Sequence, residues 1–125
     1  MSGIREPMVQ ALILISSKNS ILQSSASWAK NIKVILCTPA VIGERTDSSN
    51  ELDGDLNRYS AIIRSLAAKS NLPLIDLRKA FIDYNFKNNP ENKESGILTS
   101  DRVHLNEAGN QLVAEEMWKA IKSLN

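Results

Sequence analysis

Two short apolar runs and several amphipathic stretches dominate the pattern of hydrophobic and polar positions along the chain. The first run, residues 33–38, is rich in β-branched residues and is followed by Pro39, a pattern typical of a strand buried on both faces of a parallel sheet. The second run, residues 72–77, has a similar character, with its proline near the start, where a missing N–H costs least. We therefore predict two parallel strands.

An amphipathic helix is predicted between these strands. Residues 48–50 are polar, and the apolar positions that follow are spaced alternately by four and three residues, at Leu52, Leu56, Tyr59, Ile63 and Leu66. Asn50 is the expected N-cap, and Asp53 suits the positive end of the helix. A strand, a helix and a strand in this order predict a right-handed βαβ unit.

Two further helices are predicted downstream. One covers about residues 76–86, with Leu77, Ala80, Phe81 and Tyr84 on one side, and it ends at the polar loop 87–92. The other begins after Asn106, its expected N-cap, and carries an apolar stripe to the end of the chain: Ala108, Leu112, Val113, Met117, Ala120, Ile121 and Leu124. Residues 7–30 are expected to be mainly helical, although the apolar run 8–15 also fits a strand.

Composition favours one soluble globular domain spanning residues 1–125, since 42% of the residues are hydrophobic and 23% are charged. The 15 basic and 14 acidic residues give a net charge of +1, so we expect no binding to nucleic acid. The apolar run 8–15 is shorter than the ~20 residues of a membrane span. It also makes a weak signal peptide, because Glu6 cancels the charge of Arg5, and a cytoplasmic location is the default expectation.

The chain has one cysteine and one histidine, which limits its possible chemistry. Cys37 cannot form an internal disulfide, and we interpret it as a small core residue rather than a nucleophile at the end of a strand. A zinc site built on His104 would need carboxylates for all its other protein ligands, which is an uncommon set. No metal site is therefore predicted.

Asp101 and His104 form the most informative pattern, an Asp-x-x-His sequence in a loop that precedes the last helix. A histidine that acts as a general base must be held in one tautomer, and a carboxylate that accepts a hydrogen bond from its Nδ1–H achieves this. A tight turn with this spacing can bring the two side chains together. The alternative interpretation is a polar turn in which Asp101 caps backbone amides and His104 is merely exposed.

Residues 100–110, Ser-Asp-Arg-Val-His-Leu-Asn-Glu-Ala-Gly-Asn, resemble the last conserved block of the SGNH (GDSL) hydrolases. Residues 34–39 with Gly43-Glu44, and residues 74–77, are similar to the strands and the Thr-Pro loop that precede this block. The resemblance covers residues 33–124 and implies the C-terminal half of a three-layer α/β/α, flavodoxin-like SGNH fold with a parallel sheet, truncated at its N-terminus.

This resemblance also implies a reaction and its site residues. The family hydrolyses small-molecule esters through an acyl-enzyme, and His104 matches its catalytic base and Asp101 the residue that orients this base. Neither a metal nor an organic cofactor is implied. The identity of the ester, whether acetylated carbohydrate, short acyl chain or lipid, is not implied by the residues that match.

Three motifs of the family are missing from the sequence: the Gly-Asp-Ser block of the nucleophile, the block of the oxyanion-hole glycine, and the Gly-x-Asn-Asp block. We therefore expect this chain to be inactive alone and to expose a sheet edge open to self-association, unless its N-terminal segment covers that edge. Two alternatives are a non-catalytic remnant or interaction module, and an unrelated small α/β ligand-binding domain.

Overall fold

The computed structural model describes the backbone of residues 14–15 and the whole of residues 33–124. Its strands are β1 (Leu14–Ile15), β2 (Val34–Cys37) and β3 (Leu74–Ile75), and its helices are α1 (Asp53–Lys69), α2 (Leu77–Asn88) and α3 (Glu107–Ser123). Both strands and all three helices predicted after residue 33 are therefore present. No helix of this part of the chain is long and apolar enough to cross a membrane.

The sheet has the strand order β1-β2-β3. β2 and β3 are parallel, with Leu36 opposite Leu74, and α1 connects them as predicted. β1 adds an antiparallel strand at the other side of β2, with Leu14 opposite Ile35. This short strand covers part of the edge that was expected to be open.

The helix predicted over residues 7–30 is wrong at Leu14–Ile15, which form β1. The rest of that range lies outside the described residues. A short apolar run fits a helix or a strand equally well by its pattern alone. The unpaired backbone groups along the edge of β2 favour the strand, because they provide hydrogen-bond partners for it.

The three layers follow from the alternation of side chains along β2. Ile35 and Cys37 belong to a cluster that α2 and α3 cover, whereas Leu36 belongs to a second cluster that α1 covers. β2 is therefore buried on both faces, as predicted for a central strand. Phe81 of α2 is fully buried in the first cluster and has the largest side chain among its buried members.

The buried face of α1 is rotated relative to the predicted one. Leu56 and Ile63 are buried as expected, but Leu66 is 49% exposed. The small residues Ser60 and Ala67 occupy the buried face instead. Small side chains at these positions allow the helix to lie close to the sheet, which the spacing of large apolar residues does not reveal.

The start of α1 also differs from the prediction, because Leu52 and not Asn50 is the N-cap residue. Asn50 lies further upstream, and its backbone N–H and Nδ2 donate to Asp53 Oδ2 at 3.3 and 2.9 Å. The other oxygen of Asp53 accepts a bond from the buried Arg78 guanidinium at 3.0 Å. This ion pair links α1 to α2.

We predict that Phe81→Ala lowers the free energy of unfolding by about 3–5 kcal/mol, because it leaves a large cavity in the core. Phe86→Ala is the matched control, since Phe86 lies on the same helix but is 65% exposed. This control should change stability by less than about 0.5 kcal/mol. Urea unfolding followed by circular dichroism measures both, and equal effects of the two substitutions would contradict this packing.

Candidate active site

The Asp-x-x-His sequence lies at the tip of a narrow loop that is closed at its base by backbone hydrogen bonds. Thr99 and Leu105 form an antiparallel bridge. The Ser100 N–H donates to the His104 carbonyl at 2.9 Å, and the Asn106 N–H donates to the Leu98 carbonyl at 3.0 Å. The loop is therefore anchored in the core at its base and presents its tip to solvent.

Asp101 holds both the backbone and the imidazole of the turn. Its Oδ2 lies 2.7 Å from His104 Nδ1. Its Oδ1 accepts bonds from the backbone N–H groups of Val103 at 3.1 Å and His104 at 2.7 Å. The predicted hydrogen bond between the two side chains is present, and the amide capping of the alternative interpretation is present beside it.

The orientation of His104 suits a proton acceptor. When Nδ1 donates its proton to Asp101, Nε2 carries the free lone pair of the neutral ring. The His104 side chain is 80% exposed and that of Asp101 is 53% exposed. A reacting group can therefore reach Nε2 from solvent.

The pKa of Asp101 is lowered to about 2, first by the backbone N–H of His104, then by its imidazole and by the backbone N–H of Val103. All three are hydrogen bonds to the charged form of the carboxyl group, which they favour over the neutral form. Asp101 is therefore ionised at neutral pH. An anionic carboxylate is what stabilises an imidazolium that forms during proton transfer.

Glu44 is the residue that supports this loop from below, and it is 1% exposed. Its Oε2 accepts bonds from the Ile97 N–H at 3.1 Å, the Thr99 N–H at 3.0 Å and the Thr99 hydroxyl at 2.7 Å. Its Oε1 accepts the Leu98 N–H at 2.8 Å. Thr99 Oγ1 in turn accepts the Arg102 N–H at 3.0 Å, so the carboxylate is connected to the turn through one hydroxyl.

Gly43 makes a second connection to the turn. Its N–H donates to the Arg102 carbonyl at 2.8 Å, where Arg102 has a φ of 83°, unusual for a residue with a side chain. Gly43 itself has a φ of 91°, and a Cβ there would collide with the Asn50 side chain. Only glycine fits both the conformation and the space.

The geometry at the start of α3 explains why an asparagine and a glycine, Asn106 and Gly109, follow His104 in the sequence. Asn106 caps the helix by accepting the Gly109 N–H at 2.9 Å, as predicted, and its Nδ2 donates to the Ile97 carbonyl at 3.2 Å. A Cβ on Gly109 would collide with the Leu98 carbonyl oxygen. The helix can therefore approach the base of the loop closely.

Cys37 is 3% exposed, and burial together with the charge of Asp76 raises the pKa of its thiol to about 11. The thiol therefore stays protonated at neutral pH, which agrees with a core residue and not with a nucleophile. Within residues 33–124, no group of three or more histidine, cysteine, aspartate or glutamate side chains could hold a metal ion.

The role of Glu44 was not predicted from the sequence, although Gly43-Glu44 belongs to the resemblance. Charged residues in loops are usually exposed, and nothing next to Glu44 in the sequence reveals its partners. Those partners lie 53–55 residues further along the chain. The sequence did offer one signal for this role: Glu44 is an acidic residue next to a glycine, and it follows a strand and a Thr-Pro pair.

Acidification should titrate Asp101 at about pH 2. Because its pKa is lowered on folding, its contribution to stability is fully present above about pH 4 and is lost as the pH falls through 2. Carbon-13 NMR of the carboxyl group measures the midpoint. In His104→Ala the backbone N–H bonds remain, so the midpoint should rise only in part towards 4, and a midpoint near 4 in the unaltered chain would contradict this turn.

Glu44→Gln should destabilise the fold by about 3 kcal/mol, since a neutral amide loses the charge-assisted bonds and points N–H groups at N–H donors. Glu94→Gln is the control, because the Glu94 side chain is 56% exposed, and it should have almost no effect. Urea unfolding gives the free energies, and proton NMR gives the amide shifts of residues 97–99. Unchanged amide shifts in Glu44→Gln would show that these bonds do not form.

Comparison with known proteins identifies the family. Residues 16–112 match the model of the GDSL-like lipase/acylhydrolase family. Among solved structures, the chain is similar to an acetyl xylan esterase, AlAXEase, with 67% sequence identity and a TM-score of 0.71. The match covers 73% of this chain and 46% of that one, so the chain spans less than half the length of the esterase. No curated protein matches the chain significantly.

The matched region contains β2, β3, the Glu44 loop and the Asp101–His104 turn. Helices on both faces of a parallel strand pair agree with the three-layer α/β/α fold that the resemblance implied. An unrelated small α/β ligand-binding domain, one of the alternatives drawn from the sequence, is therefore wrong. The chain belongs to the GDSL-like lipase/acylhydrolase family.

Proposed function

We propose that this chain carries the base half of a serine-esterase site, with His104 as the catalytic base and Asp101 as the residue that orients it. The 2.7 Å hydrogen bond between Asp101 Oδ2 and His104 Nδ1 is the observation that carries this proposal. It fixes the tautomer that leaves Nε2 free, and His104 is exposed enough for a serine hydroxyl to reach that nitrogen.

The proposed reaction transfers an acyl group in two steps. In the first, a serine hydroxyl attacks the carbonyl carbon of the ester and gives its proton to His104 Nε2, which passes the proton to the leaving alcohol. In the second, a water molecule attacks the acyl-serine and gives a proton to His104 Nε2, which passes it to the leaving serine oxygen as the carboxylic acid is released. Asp101 stays ionised throughout and stabilises the imidazolium.

The serine itself is the missing component, because the sequence contains neither a Gly-Asp-Ser nor a Gly-x-Asn-Asp motif. Loss of a hydrolase nucleophile lowers kcat by about 10⁶ in the best-measured case. We therefore expect the chain to be inactive by itself. Its base pair would act when another polypeptide segment places a serine within hydrogen-bond distance of His104 Nε2.

The substrate we propose is an acetylated carbohydrate. The similar solved structure is that of an acetyl xylan esterase, and its 67% identity to this chain is high. Carbohydrate-bound acetyl groups are small neutral esters, and such an ester can approach a histidine that is exposed at the tip of a loop, as His104 is. The match covers 46% of that esterase, so substrate recognition by its other residues is not transferred to this chain.

A non-catalytic interaction module is the second candidate. The missing nucleophile motif favours it, as do Trp118 and Ile121, which are 59% and 38% exposed on α3. β3 is an edge strand in the described part of the sheet, so self-association by strand pairing is a possible route. Sedimentation velocity at several concentrations tests this role. The sedimentation coefficient of a self-associating module rises with concentration, whereas that of a monomer that lacks only a serine does not.

The catalytic proposal is tested by a chimera in which residues 33–124 replace the corresponding residues of AlAXEase. The chain alone should hydrolyse 4-nitrophenyl acetate no faster than buffer, whereas the chimera should be active. In the chimera, His104→Ala should lower kcat by on the order of 10⁶ and Asp101→Asn by on the order of 10⁴.

Lys119→Ala is the control for the chimera, because Lys119 is 69% exposed on α3, and it should leave kcat unchanged. A folded chimera that stays active with His104→Ala would refute the assignment of the base. Hydrolysis by the chain alone, abolished by the same substitution, would show that the nucleophile lies within these 125 residues.

A further inference from the structure

The outer face of α3 carries a strip of exposed residues that the core does not use: Ala114, Glu115, Trp118, Ile121 and Lys122. At about 3.6 residues per turn, all five lie within roughly 60° of Trp118 around the helix axis. Trp118 and Ile121 are the large apolar members, 59% and 38% exposed. These residues form one continuous surface, which we call the α3 stripe.

The α3 stripe has an apolar side and a charged side. Ala114 and Ile121 lie on one side of Trp118, and Glu115 and Lys122 lie on the other. On each side, one residue precedes Trp118 by about one turn and the other follows it by about one turn. The members of each pair are complementary, since one pair combines a small and a large side chain and the other combines a negative and a positive charge.

The two charges of the α3 stripe have no ion-pair partner in the described part of the chain, whereas Glu116 and Lys119 beside them pair with each other at 3.0 Å. Glu115 accepts a hydrogen bond only from the neutral Gln111 side chain, at 3.1 Å. The Lys122 ammonium lies 5.9 Å from the centre of the tryptophan ring, which keeps it on this face of the helix. Both charges are therefore available to a partner.

A second copy of α3 complements this surface. When two identical helices pack antiparallel about a two-fold axis at Trp118, each position before it faces the position about one turn after it, on the same side of the partner helix. Glu115 then faces Lys122 of the second copy, and Ala114 faces its Ile121. Symmetry makes each contact occur twice. A parallel pairing would instead place the charged side of one copy against the apolar side of the other.

We propose that the α3 stripe is a homodimer interface in which two copies of α3 pack antiparallel around Trp118. Tryptophan is enriched among the residues that dominate interface free energies, and complementary charges select partner and register. Contact through one helix per copy falls at the small end of protein interfaces, so we expect a dissociation constant on the order of 100 μM.

The proposed interface does not depend on the proposed esterase function. Trp118 lies about 16 Å along α3 from Glu107, the first residue of the helix after the Asp101–His104 turn. A dimer formed around Trp118 therefore leaves the turn open to solvent. Failure of either proposal would leave the other standing, because one is measured by association and the other by hydrolysis.

Sedimentation velocity of the full chain, over a concentration series that brackets the expected dissociation constant, tests the interface. The unaltered chain should self-associate. Glu115→Lys or Lys122→Glu alone should weaken self-association about tenfold, because each substitution places like charges opposite each other twice. A mixture of the two variants should associate again, because each lysine of one variant then faces a glutamate of the other.

Trp118→Ala should also weaken self-association about tenfold, through loss of the central aromatic contact. Phe86→Ala and Lys87→Glu are the matched controls, because they make the same kinds of change at exposed positions of α2, and both should leave the dissociation constant unchanged.

Three results would overturn the α3 interface. The first is a monomer at every concentration, and the second is self-association that persists in Trp118→Ala and in both charge variants, as pairing through the edge of β3 would. The third is a mixture of Glu115→Lys and Lys122→Glu that stays as weakly associated as each variant alone. Circular dichroism of each variant checks that its fold is intact, and recovery in the mixture requires that both charge variants are folded.

Discussion

The carboxylate of Glu44 holds together a segment that has almost no regular structure of its own. Residues 97–99 are buried or half-buried and take part in a single β-bridge, so their backbone N–H groups need partners that a sheet or helix would normally provide. Glu44 accepts all three of these N–H groups and the Thr99 hydroxyl. Hydrogen bonds to an ionised group are stronger than neutral ones, which makes one buried side chain a sufficient replacement for a strand partner.

This arrangement separates a rigid base from an exposed tip. Leu98 and Thr99 are fully buried, whereas Asp101 and His104 lie in solvent only a few residues later. The position of the turn is therefore set by the bonds of its base to the core. The orientation of the turn backbone and of the His104 ring is set locally by the two oxygens of Asp101. Because Asp101 holds both the backbone and the imidazole, its loss disturbs the turn and the ring together.

The sequence was sufficient for the elements whose signal is local. The periodicity of apolar residues located β2, β3 and three helices, and the polar residue before α3 identified its cap. The same pattern was ambiguous for Leu14–Ile15, because a short apolar run has no distinguishing period. It also misplaced the buried face of α1, since Ser60 and Ala67 carry little hydrophobic signal but pack closely.

The sequence could not indicate which charged side chains are buried. Glu44 and Arg78 are 1% and 2% exposed, although charged residues are rarely buried unless they are paired. The partners that make their burial possible come from segments far away in the chain, so no local window contains both members. The resemblance marked Gly43-Glu44 as part of a pattern, and only the folded structure shows which bonds that pattern provides.

The loop after β2 is bonded to the Asp101–His104 turn and to the residues at its base, and these bonds determine how freely the loop can rearrange. The Gly43 N–H donates to the Arg102 carbonyl in the turn, and Glu44 accepts bonds from residues 97–99 at the base of the loop. A switch would require this loop to have a second stable arrangement, but moving Glu44 breaks four hydrogen bonds to a buried carboxylate. The geometry of the Asp101–His104 pair is therefore set by the fold and does not depend on a rearrangement of this loop.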